Sequence, residues 1–231
     1  MAKIISESTN LFYEIVPYKM KNDQEITNVQ APLPNQYNFF MLLIGRPNSG
    51  KSTFWLNLVN KKSKHTFYKK FDKIYIFSNS LGTIQDKISL GEDRLFEGIN
   101  DLFNVIQKIK QTEEKTLIII DDCMSDIKQQ EDTITKLIAN RRHIGGGISV
   151  IISTQIYNKI PLAIRKMASD LVLFSTSNKK EIQAVYDDYS SLTVTDFKRI
   201  VRYCFEKGAH EFLYLKIENE TYYHNFNLLE F

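Results

Sequence analysis

Hydrophobic residues in this chain gather into short runs of strand length, and the segments between the runs are polar or have helical spacing. Five runs are continuous enough to form strands, and they cover residues 39–44, 73–78, 117–122, 148–155 and 170–175. Strands that are apolar throughout are typical of a parallel sheet covered on both faces. Their alternation with helical segments predicts an α/β fold with a mostly parallel sheet of about five core strands flanked by helices.

The segments between the strands predict the helices of this fold. Residues 53–59 follow the first strand as a helix, whereas residues 80–94 have the composition of a loop. A second amphipathic helix is indicated by apolar residues three and four positions apart, namely Ile99, Leu102, Phe103, Ile106 and Ile109. A third helix is predicted from Ile134 up to the glycines at 145–147. Three more are predicted, over residues 161–165, over residues 179–189 and from Thr193 onward.

The pattern changes at both ends of this region. Residues 211–217 and 222–226 flank a polar turn and predict a C-terminal β-hairpin. The first 38 residues are predicted to form an N-terminal arm, in which residues 11–16 have the pattern of a strand. Because the sequence has no internal repeat and no linker, we expect one domain over residues 39–231 after that arm.

Composition narrows the class of protein without identifying its chemistry. The chain has 231 residues, of which 43% are hydrophobic, and a net charge of +3, which suits one large soluble α/β domain. Cys123 and Cys204 lack the spacing of a disulfide framework or a metal site, so reduced thiols in a cytosol-like compartment are expected. The sequence shows no signal peptide, and its longest apolar run, just before Gly45, is too short for a membrane span.

The candidate chemistry begins with the loop after the first strand, which fits the phosphate-loop pattern G-x-x-x-x-G-K-[ST]. We expect nucleotide phosphates to bind along the whole stretch: Gly45, Arg46, Pro47, Asn48, Ser49, Gly50, Lys51, Ser52 and Thr53. Backbone N–H groups and the helix N-terminus attract phosphate there, and the glycines allow its close approach. Lys51 adds a charge near the outer phosphates, and the Ser52 hydroxyl is placed to ligate Mg²⁺. The alternative is an ordinary turn between strand and helix.

Polar groups also stand at the ends of two later strands. Asp121 and Asp122 end the third run, and in phosphate-loop proteins that position lies beside the loop, with one strand expected between the two. One carboxylate orients the Mg²⁺ shell and the next polarises the attacking water. Gln155 ends the fourth run and is a candidate to sense the γ-phosphate or orient the water. The alternatives are a plain Asp-Asp turn and a satisfied loop amide.

A basic tract follows the first helix. It consists of Lys61, Lys62, Lys64, His65, Lys69 and Lys70, with Phe67 and Tyr68 among them. Two interpretations remain open for this tract. It is either a solvated helix end, where cations suit the helix C-terminus, or a contact for the phosphates of a nucleic-acid backbone.

Four stretches together resemble a known family: GRPNSGKS, LIIIDDC, NRRHIGGGISVIISTQ and IPLAIRKMASDLVLF. The combination is similar to the genome-packaging ATPases of large double-stranded DNA viruses, within the FtsK–HerA superfamily of phosphate-loop motors. The resemblance extends over residues 39–174, and its Asp-Asp pair and its Arg-His before a Gln-tipped strand are more specific than the loop. It implies an ATP-hydrolysing DNA translocase, with ATP and Mg²⁺ as cofactors, that packages viral double-stranded DNA into capsids.

The resemblance implies a role for each matching site residue. Lys51 and Ser52 are the phosphate and Mg²⁺ contacts, and Asp121 is the acid on the Mg²⁺ side. Asp122 is the acid that acts on the attacking water, and Gln155 is the sensor. Many related motors have a glutamate in place of Asp122, and the shorter aspartate side chain can still position a water.

The same resemblance implies an assembly and its partners. A homo-oligomeric ring would thread double-stranded DNA of any sequence and meet a capsid or portal component, without a membrane partner. The expected location is the host cytoplasm, where virus assembles, or the virion. Arg142 is the candidate arginine finger, which would act on a neighbouring subunit, and Arg141 and Arg165 are the next candidates.

Two other functions remain open from the sequence. One is a different ATP-driven nucleic-acid motor or loader of the same class, and the other is a nucleotide-gated binding switch with little turnover. A motor that carries its own nuclease is not expected, because the roughly 55 residues after Ser175 are too few for a separate domain of typical size.

Overall fold

The computed structural model describes residues 22–88, 90–91 and 94–230 of the chain. The strand predicted at residues 11–16 lies outside the described residues. Part of the predicted arm is described, and it packs against the domain, since Ile26 and Leu33 are buried in the same hydrophobic cluster as Phe67. None of the helices in the described ranges is long and apolar enough to cross a membrane.

The described residues form one sheet of nine strands. In chain order these are β1 (Phe40–Ile44), β2 (Lys73–Ser78), β3 (Leu95–Glu97), β4 (Thr116–Asp121), β5 (Ile148–Thr154), β6 (Asp170–Phe174), β7 (Phe212–Lys216), β8 (Thr221–His224) and β9 (Asn227–Leu228). The order across the sheet is β3-β2-β4-β5-β1-β6-β7-β8-β9. Strands β1 to β6 pair in parallel, whereas β7, β8 and β9 extend one side of the sheet with antiparallel pairs.

Helices connect these strands. They are α1 (Lys51–Asn60), α2 (Leu81–Ile84), α3 (Leu102–Ile109), α4 (Met124–Ile127), α5 (Glu131–Asn140), α6 (Leu162–Arg165), α7 (Lys179–Tyr189) and α8 (Val194–Phe205). Short 3₁₀ turns lie at Gln85–Lys87 and Tyr157–Lys159. The predicted start of α8 is confirmed, because the Thr193 side chain accepts a hydrogen bond from the backbone N–H of Asp196.

The strand side chains alternate between two hydrophobic cores, one on each face of the sheet. On β1, Leu42 and Ile44 join one core, Met41 and Leu43 join the other, and all four are fully buried. Apolar residues of α3, α5 and α8 cover the first core, and those of α1 cover the second. Burial on both faces is the reason that these strands are apolar throughout.

The predicted fold class is confirmed, with one more parallel strand than the five that the sequence suggested. The additional strand is β3, which lies just after the segment predicted as a loop. It has only three residues, all exposed or half-buried, so no long apolar run marks it. The predicted C-terminal hairpin is confirmed as β7 and β8, and β7 also pairs with β6, so the hairpin continues the main sheet.

The helix predicted to reach the glycines ends earlier. α5 ends at Asn140, and residues 141–146 form turns. Gly146 packs against the chain that leads into β4, because a Cβ there would lie 2.1 Å from the Glu113 carbonyl oxygen. Gly147 has a φ of 103°, which favours glycine. The glycines therefore serve the turn into β5 and not the end of the helix.

The strand order determines which loops meet. One strand separates β1 from β4, as expected, and that strand is β5. Because parallel strands present their carboxyl ends at the same edge, the loop after β1, Gln155 after β5 and the acids at the end of β4 lie side by side.

Candidate active site

The phosphate loop joins the carboxyl end of β1 to the N-terminus of α1. A left-handed backbone at Asn48 (φ 61°) and at Gly50 (φ 106°) turns the chain into the helix. Gly45 has no room for a side chain, because a Cβ there would lie 2.6 Å from Ser49 Oγ and 2.7 Å from Phe174 Cβ. The loop therefore packs directly against the end of β6. The positive end of the α1 dipole lies at the last residue of the loop.

Lys51 is buried at the first position of α1. Its Nζ donates hydrogen bonds to the carbonyl oxygens of Gly45 at 2.7 Å and Arg46 at 3.0 Å. Burial lowers the pKa of Lys51, whereas the negative charges of Asp121 and Asp122 oppose that shift by favouring the charged amine. The ammonium is thus fixed at the loop and shares its surroundings with the acid pair.

Ser52 and Asp121 meet at the first turn of α1. The Ser52 hydroxyl donates to Asp121 Oδ2 at 2.8 Å. Asp121 is buried, and among the described residues its Oδ1 has no hydrogen-bond partner. A hydroxyl and a carboxylate with a free buried oxygen suit Mg²⁺, which prefers oxygen ligands and commonly takes only one or two from the protein. The described residues contain no group of three or more His, Cys, Asp or Glu side chains that could hold a metal ion.

Asp122 and Gln155 form a second pair beside the first. Asp122 has a left-handed backbone (φ 55°), so the chain turns sharply at the end of β4. Gln155 Nε2 donates to Asp122 Oδ1 at 2.8 Å, and both side chains are half-buried. The structure therefore brings the carboxylate and the amide together at the edge where the sequence predicted them.

Asn79 adds a polar group that the sequence analysis missed. It follows β2, and its Nδ2 donates to Asp126 Oδ2 at 3.1 Å and to the Asp122 carbonyl oxygen at 3.4 Å. The signal in the sequence was the same as for Gln155, namely a polar residue directly after a strand. Asn79 fixes the backbone that carries Asp122, on the side away from Gln155.

A cleft of about 550 Å³ opens in front of the loop. It is lined by Asn48, Gly50, Lys51, Ser52, Thr53, Phe54, Phe174, His210 and Phe212. The first six belong to the predicted loop and helix. The other three were not predicted as site residues, because β6 and β7 bring them to the loop from distant parts of the sequence. Of these three, only Phe174 could be placed at this edge from the sequence, because it lies at the end of a predicted strand.

The three candidate arginines differ in their surroundings. Arg141 is half-buried, and its guanidinium donates to the carbonyl oxygens of Asn38 and Ile138. Burial, aided by the charge of Arg142, lowers the pKa of Arg141. Arg142 itself is exposed and lies just before β5, at the sheet edge opposite the phosphate loop.

Arg165 is engaged inside the domain. Its guanidinium pairs with Asp188 and lies over the Tyr157 ring, 4.5 Å from the ring centroid. Tyr157 also donates to the same carboxylate at 2.6 Å. These contacts join α6 to α7, so Arg165 has a structural role in this arrangement.

The basic tract lies at the amino-terminal edge of the sheet, because α1 runs back from the loop before the tract begins. Its exposed members are Lys61, Lys62, Lys64, His65 and Lys69. Lys70 is half-buried and donates to the Thr27 carbonyl oxygen at 2.8 Å. Most of these charges therefore face solvent at the same edge as Arg142.

Comparison with protein families gives an identification. A family model described as Poxvirus A32 protein matches residues 30–204, which are 175 of the 231 residues. The chain belongs to this family. Its members are genome-packaging ATPases of poxviruses, so the chain is an ATP-driven motor of viral genome packaging. Comparison with curated proteins gives no match.

Solved structures show the same fold. The genome-packaging NTPase B204 from Sulfolobus turreted icosahedral virus 2, in complex with sulfate, is 19% identical, with 84% of this chain and 98% of B204 covered and a TM-score of 0.59. B204 from Sulfolobus turreted icosahedral virus, described as its DNA-packaging ATPase, is 17% identical, with 84% of this chain and 99% of B204 covered and a TM-score of 0.59. EccC from Thermomonospora curvata (ATPases 2 and 3) is 16% identical, with 82% of this chain and 38% of the EccC chain covered and a TM-score of 0.56. At these identities the likeness is one of fold.

Proposed function

We propose that this protein hydrolyses ATP with Mg²⁺ to drive double-stranded DNA into a viral capsid. The observation that carries the proposal is the hydrogen bond between Ser52, on the first turn of α1, and the buried Asp121 at the end of β4. Membership of the packaging family supports it. Structures of the similar B204 protein with ATPγS and AMPPCP support ATP as the nucleotide.

The loop side of the site binds the phosphates. Backbone N–H groups of the loop and the α1 dipole attract negative charge, and the Lys51 ammonium lies at the same point. We assign Ser52 and Asp121 as the protein ligands of Mg²⁺, with Asp121 Oδ1 as the unpaired oxygen that suits it. Held by Ser52 and Asp121, Mg²⁺ would supply positive charge to offset the charge that develops on the outer phosphates.

The acid side of the site handles water. The water oxygen bonds to the γ-phosphorus as the bond to the bridging oxygen breaks and ADP leaves, and Asp122 accepts the proton that the water loses. Gln155 orients the Asp122 carboxylate through its amide. One hydrogen bond joins the side chains of Asp122 and Gln155. Their remaining polar atoms can contact water and phosphate. Phosphoryl transfer depends mainly on position and charge, so these few groups suffice for it.

Arg142 completes the site of a neighbouring subunit in this proposal. Arg141 and Arg165 are held by contacts inside the domain, whereas Arg142 is exposed at the edge opposite its own loop. A ring places that edge of one subunit against the phosphate edge of the next. The Arg142 cation then stabilises the charge that forms on the neighbour's γ-phosphate.

DNA is held by its backbone charge. A packaging motor accepts any sequence, so contacts to phosphate suit it better than contacts to bases. The exposed lysines of the basic tract are the candidate contacts: Lys61, Lys62, Lys64 and Lys69. A capsid or portal component is the expected second partner, and the host cytoplasm or the virion is the expected location.

The test of this function is the rate of ATP hydrolysis with and without double-stranded DNA, together with the mass of the protein in solution with ATP. A motor gives a rate that rises with DNA of any sequence, and a mass several times that of one chain. Asp122→Asn supplies the background rate, since it leaves the phosphate loop intact. A protein that binds ATP but shows no turnover above that background would be a nucleotide-gated switch, and the proposal would be wrong.

A further inference from the structure

The C-terminal strands supply one wall of the cleft in front of the phosphate loop. Phe212, at the start of β7, pairs with Phe174 at the end of β6, and both rings line the cleft. Their centroids lie 5.3 Å apart. Phe54 from α1 packs edge-on against both rings, at 6.0 Å from Phe174 and 5.2 Å from Phe212. The cleft therefore has a charged end at the loop and an aromatic side at β6 and β7.

His210 lies where the aromatic side meets the loop. Its Nδ1 is 3.3 Å from the Ser49 carbonyl oxygen, and its ring lines the cleft. A carbonyl oxygen only accepts, so the hydrogen bond requires the proton on Nδ1. In the neutral ring, Nε2 is then an acceptor, and His210 is exposed, so Nε2 is accessible to a hydroxyl or amine of a ligand.

The segment that carries His210 is fixed on both sides. The Ser175 N–H donates to the Glu211 carbonyl oxygen, which joins the segment to the end of β6. The Glu211 carboxylate accepts a hydrogen bond from Asn225 and contacts His224 Nε2 at 2.7 Å. These hydrogen bonds lower the pKa of Glu211, so the carboxylate stays charged and the link persists. The position of His210 is thus built into the fold.

The dimensions of the cleft suit a whole nucleotide. Its volume of about 550 Å³ is within the usual range for small-molecule sites, roughly 300–1,000 Å³. A triphosphate at the loop occupies only the charged end, which leaves the aromatic side for the rest of the molecule. Aromatic ring edges beside a hydrogen-bond acceptor suit the contacts of a nucleobase and its ribose.

We propose that Phe174, Phe212 and His210 form the subsite for the base and ribose of the nucleoside triphosphate. Phe174 and Phe212 are largely buried, so the base packs against the small part of each ring that faces the cleft, and His210 Nε2 accepts a hydrogen bond from the nucleoside. This inference rests on the proposed ATPase function and gives a role to the C-terminal strands, for which the sequence offered none. It assigns affinity for the nucleoside to residues outside the phosphate loop.

The test compares two ligands that share the phosphates and differ in the nucleoside. Titration calorimetry with Mg²⁺ measures the Kd of ATP and of inorganic tripolyphosphate for the wild type, Phe212→Leu and His210→Ala. We expect Phe212→Leu to weaken ATP binding about 3- to 10-fold, the range of an edge contact between aromatic rings, with tripolyphosphate within twofold of wild type. His210→Ala should weaken ATP binding about 3- to 10-fold, the loss of one hydrogen bond, and spare tripolyphosphate.

Phe226→Leu is the matched control. Phe226 belongs to the same aromatic cluster, where it stacks on Phe54 at 6.0 Å, but it does not line the cleft. Its replacement should leave both affinities unchanged. Equal losses for ATP and tripolyphosphate in Phe212→Leu would indicate damage to the loop and overturn the subsite, as would unchanged ATP binding. A wild-type protein that binds neither ligand would contradict the ATPase function itself.

Discussion

The Ser52 hydroxyl donates a hydrogen bond to the Asp121 carboxylate at 2.8 Å, although the two residues are 69 positions apart in the chain. The contact crosses the sheet edge from α1 to the end of β4, past the intervening β5. It joins the two halves of the candidate site, one that binds phosphate and one that acts on water.

Replacing Asp121 or Asp122 by asparagine is expected to impair different properties, ATP binding in the first case and ATP hydrolysis in the second. Asp121→Asn should weaken Mg²⁺-dependent ATP binding, because it removes charge next to Ser52. Asp122→Asn should leave ATP binding within about twofold and reduce hydrolysis roughly 10²- to 10⁴-fold, the usual contribution of a general base. Calorimetry and a phosphate-release assay measure the two effects. An equal loss of binding in both variants would contradict separate roles.

Lys51→Ala is expected to abolish hydrolysis while the fold persists. The variant removes the ammonium that the Gly45 and Arg46 carbonyls hold, and the hydrolysis rate should fall by roughly 10²-fold or more. Lys180→Ala, which removes an exposed lysine of α7, is the matched control and should keep the wild-type rate. Circular dichroism establishes that both variants are folded. A folded Lys51→Ala protein with wild-type turnover would show that the active site lies elsewhere.

Arg142 is expected to act across a subunit boundary. Arg142→Ala should bind ATP normally and hydrolyse it about 10³- to 10⁵-fold more slowly, the usual contribution of an arginine supplied in trans. When Arg142→Ala and Lys51→Ala subunits are mixed, some activity should return, because an intact loop then meets an intact arginine. His143→Ala, an exposed neighbour on the same turn, should hydrolyse ATP at the wild-type rate.

The mixing experiment also has a clear contrary result. If the two variants assemble together, as a tagged pull-down would show, and no activity returns, Arg142 acts within its own chain or only stabilises the end of α5. Rescue by Arg142→Lys would further separate a need for charge from a need for the guanidinium geometry.

DNA binding is expected to depend strongly on salt and little on sequence. Each lysine on a phosphate contributes about one unit to the slope of log affinity against log salt. The double variant Lys62→Ala, Lys64→Ala should therefore lower that slope by about two, measured by fluorescence anisotropy with duplexes of unrelated sequence. A double variant at Lys179 and Lys180, on exposed positions of α7, is the control. Binding that is insensitive to salt, or confined to one sequence, would contradict the motor.

Asp170, buried at the start of β6, is expected to make stability depend on pH. Burial raises the pKa of Asp170 from 3.8 to about 6, while hydrogen bonds donated by Ser169 and Tyr214 oppose the shift. The native state then binds the proton more tightly than the unfolded chain. The contribution of Asp170 to the free energy of unfolding should be greatest below pH 4, fall by ~3 kcal/mol as the pH rises to 6, and change little above it.

Asp170→Asn tests that linkage. The asparagine amide keeps an acceptor for the Tyr214 hydroxyl and cannot ionise. The free energy of unfolding, measured with urea, should therefore no longer show this fall between pH 4 and 6. The variant should be more stable than the wild type at pH 7 and similar to it at pH 4. An unchanged dependence in Asp170→Asn would show that another group is responsible.

The sequence alone determined the fold class and the phosphate edge of the site. Strands buried on both faces must be apolar throughout, so β1, β2, β4, β5 and β6 were visible as runs. The loop was readable because its chemistry depends on consecutive residues: Gly45 and Gly50 for the backbone, and Lys51 and Ser52 for charge and hydroxyl. The polar ends of β4 and β5 were visible because an apolar run stops there. The domain boundary at residue 38 and the residue roles stay predictions.

Only the tertiary structure decided what comes to the loop from elsewhere. Strand order is a property of pairing and not of sequence order, so the sequence did not show that β5 is the strand between β1 and β4. The antiparallel pairing of β6 with β7 brings Phe212 and His210 to the cleft, about 160 positions after the loop. Neither residue lies in a local motif, because its position depends on long-range contacts. The phosphate half of the site is local in the chain, and the aromatic half exists only once the sheet has formed.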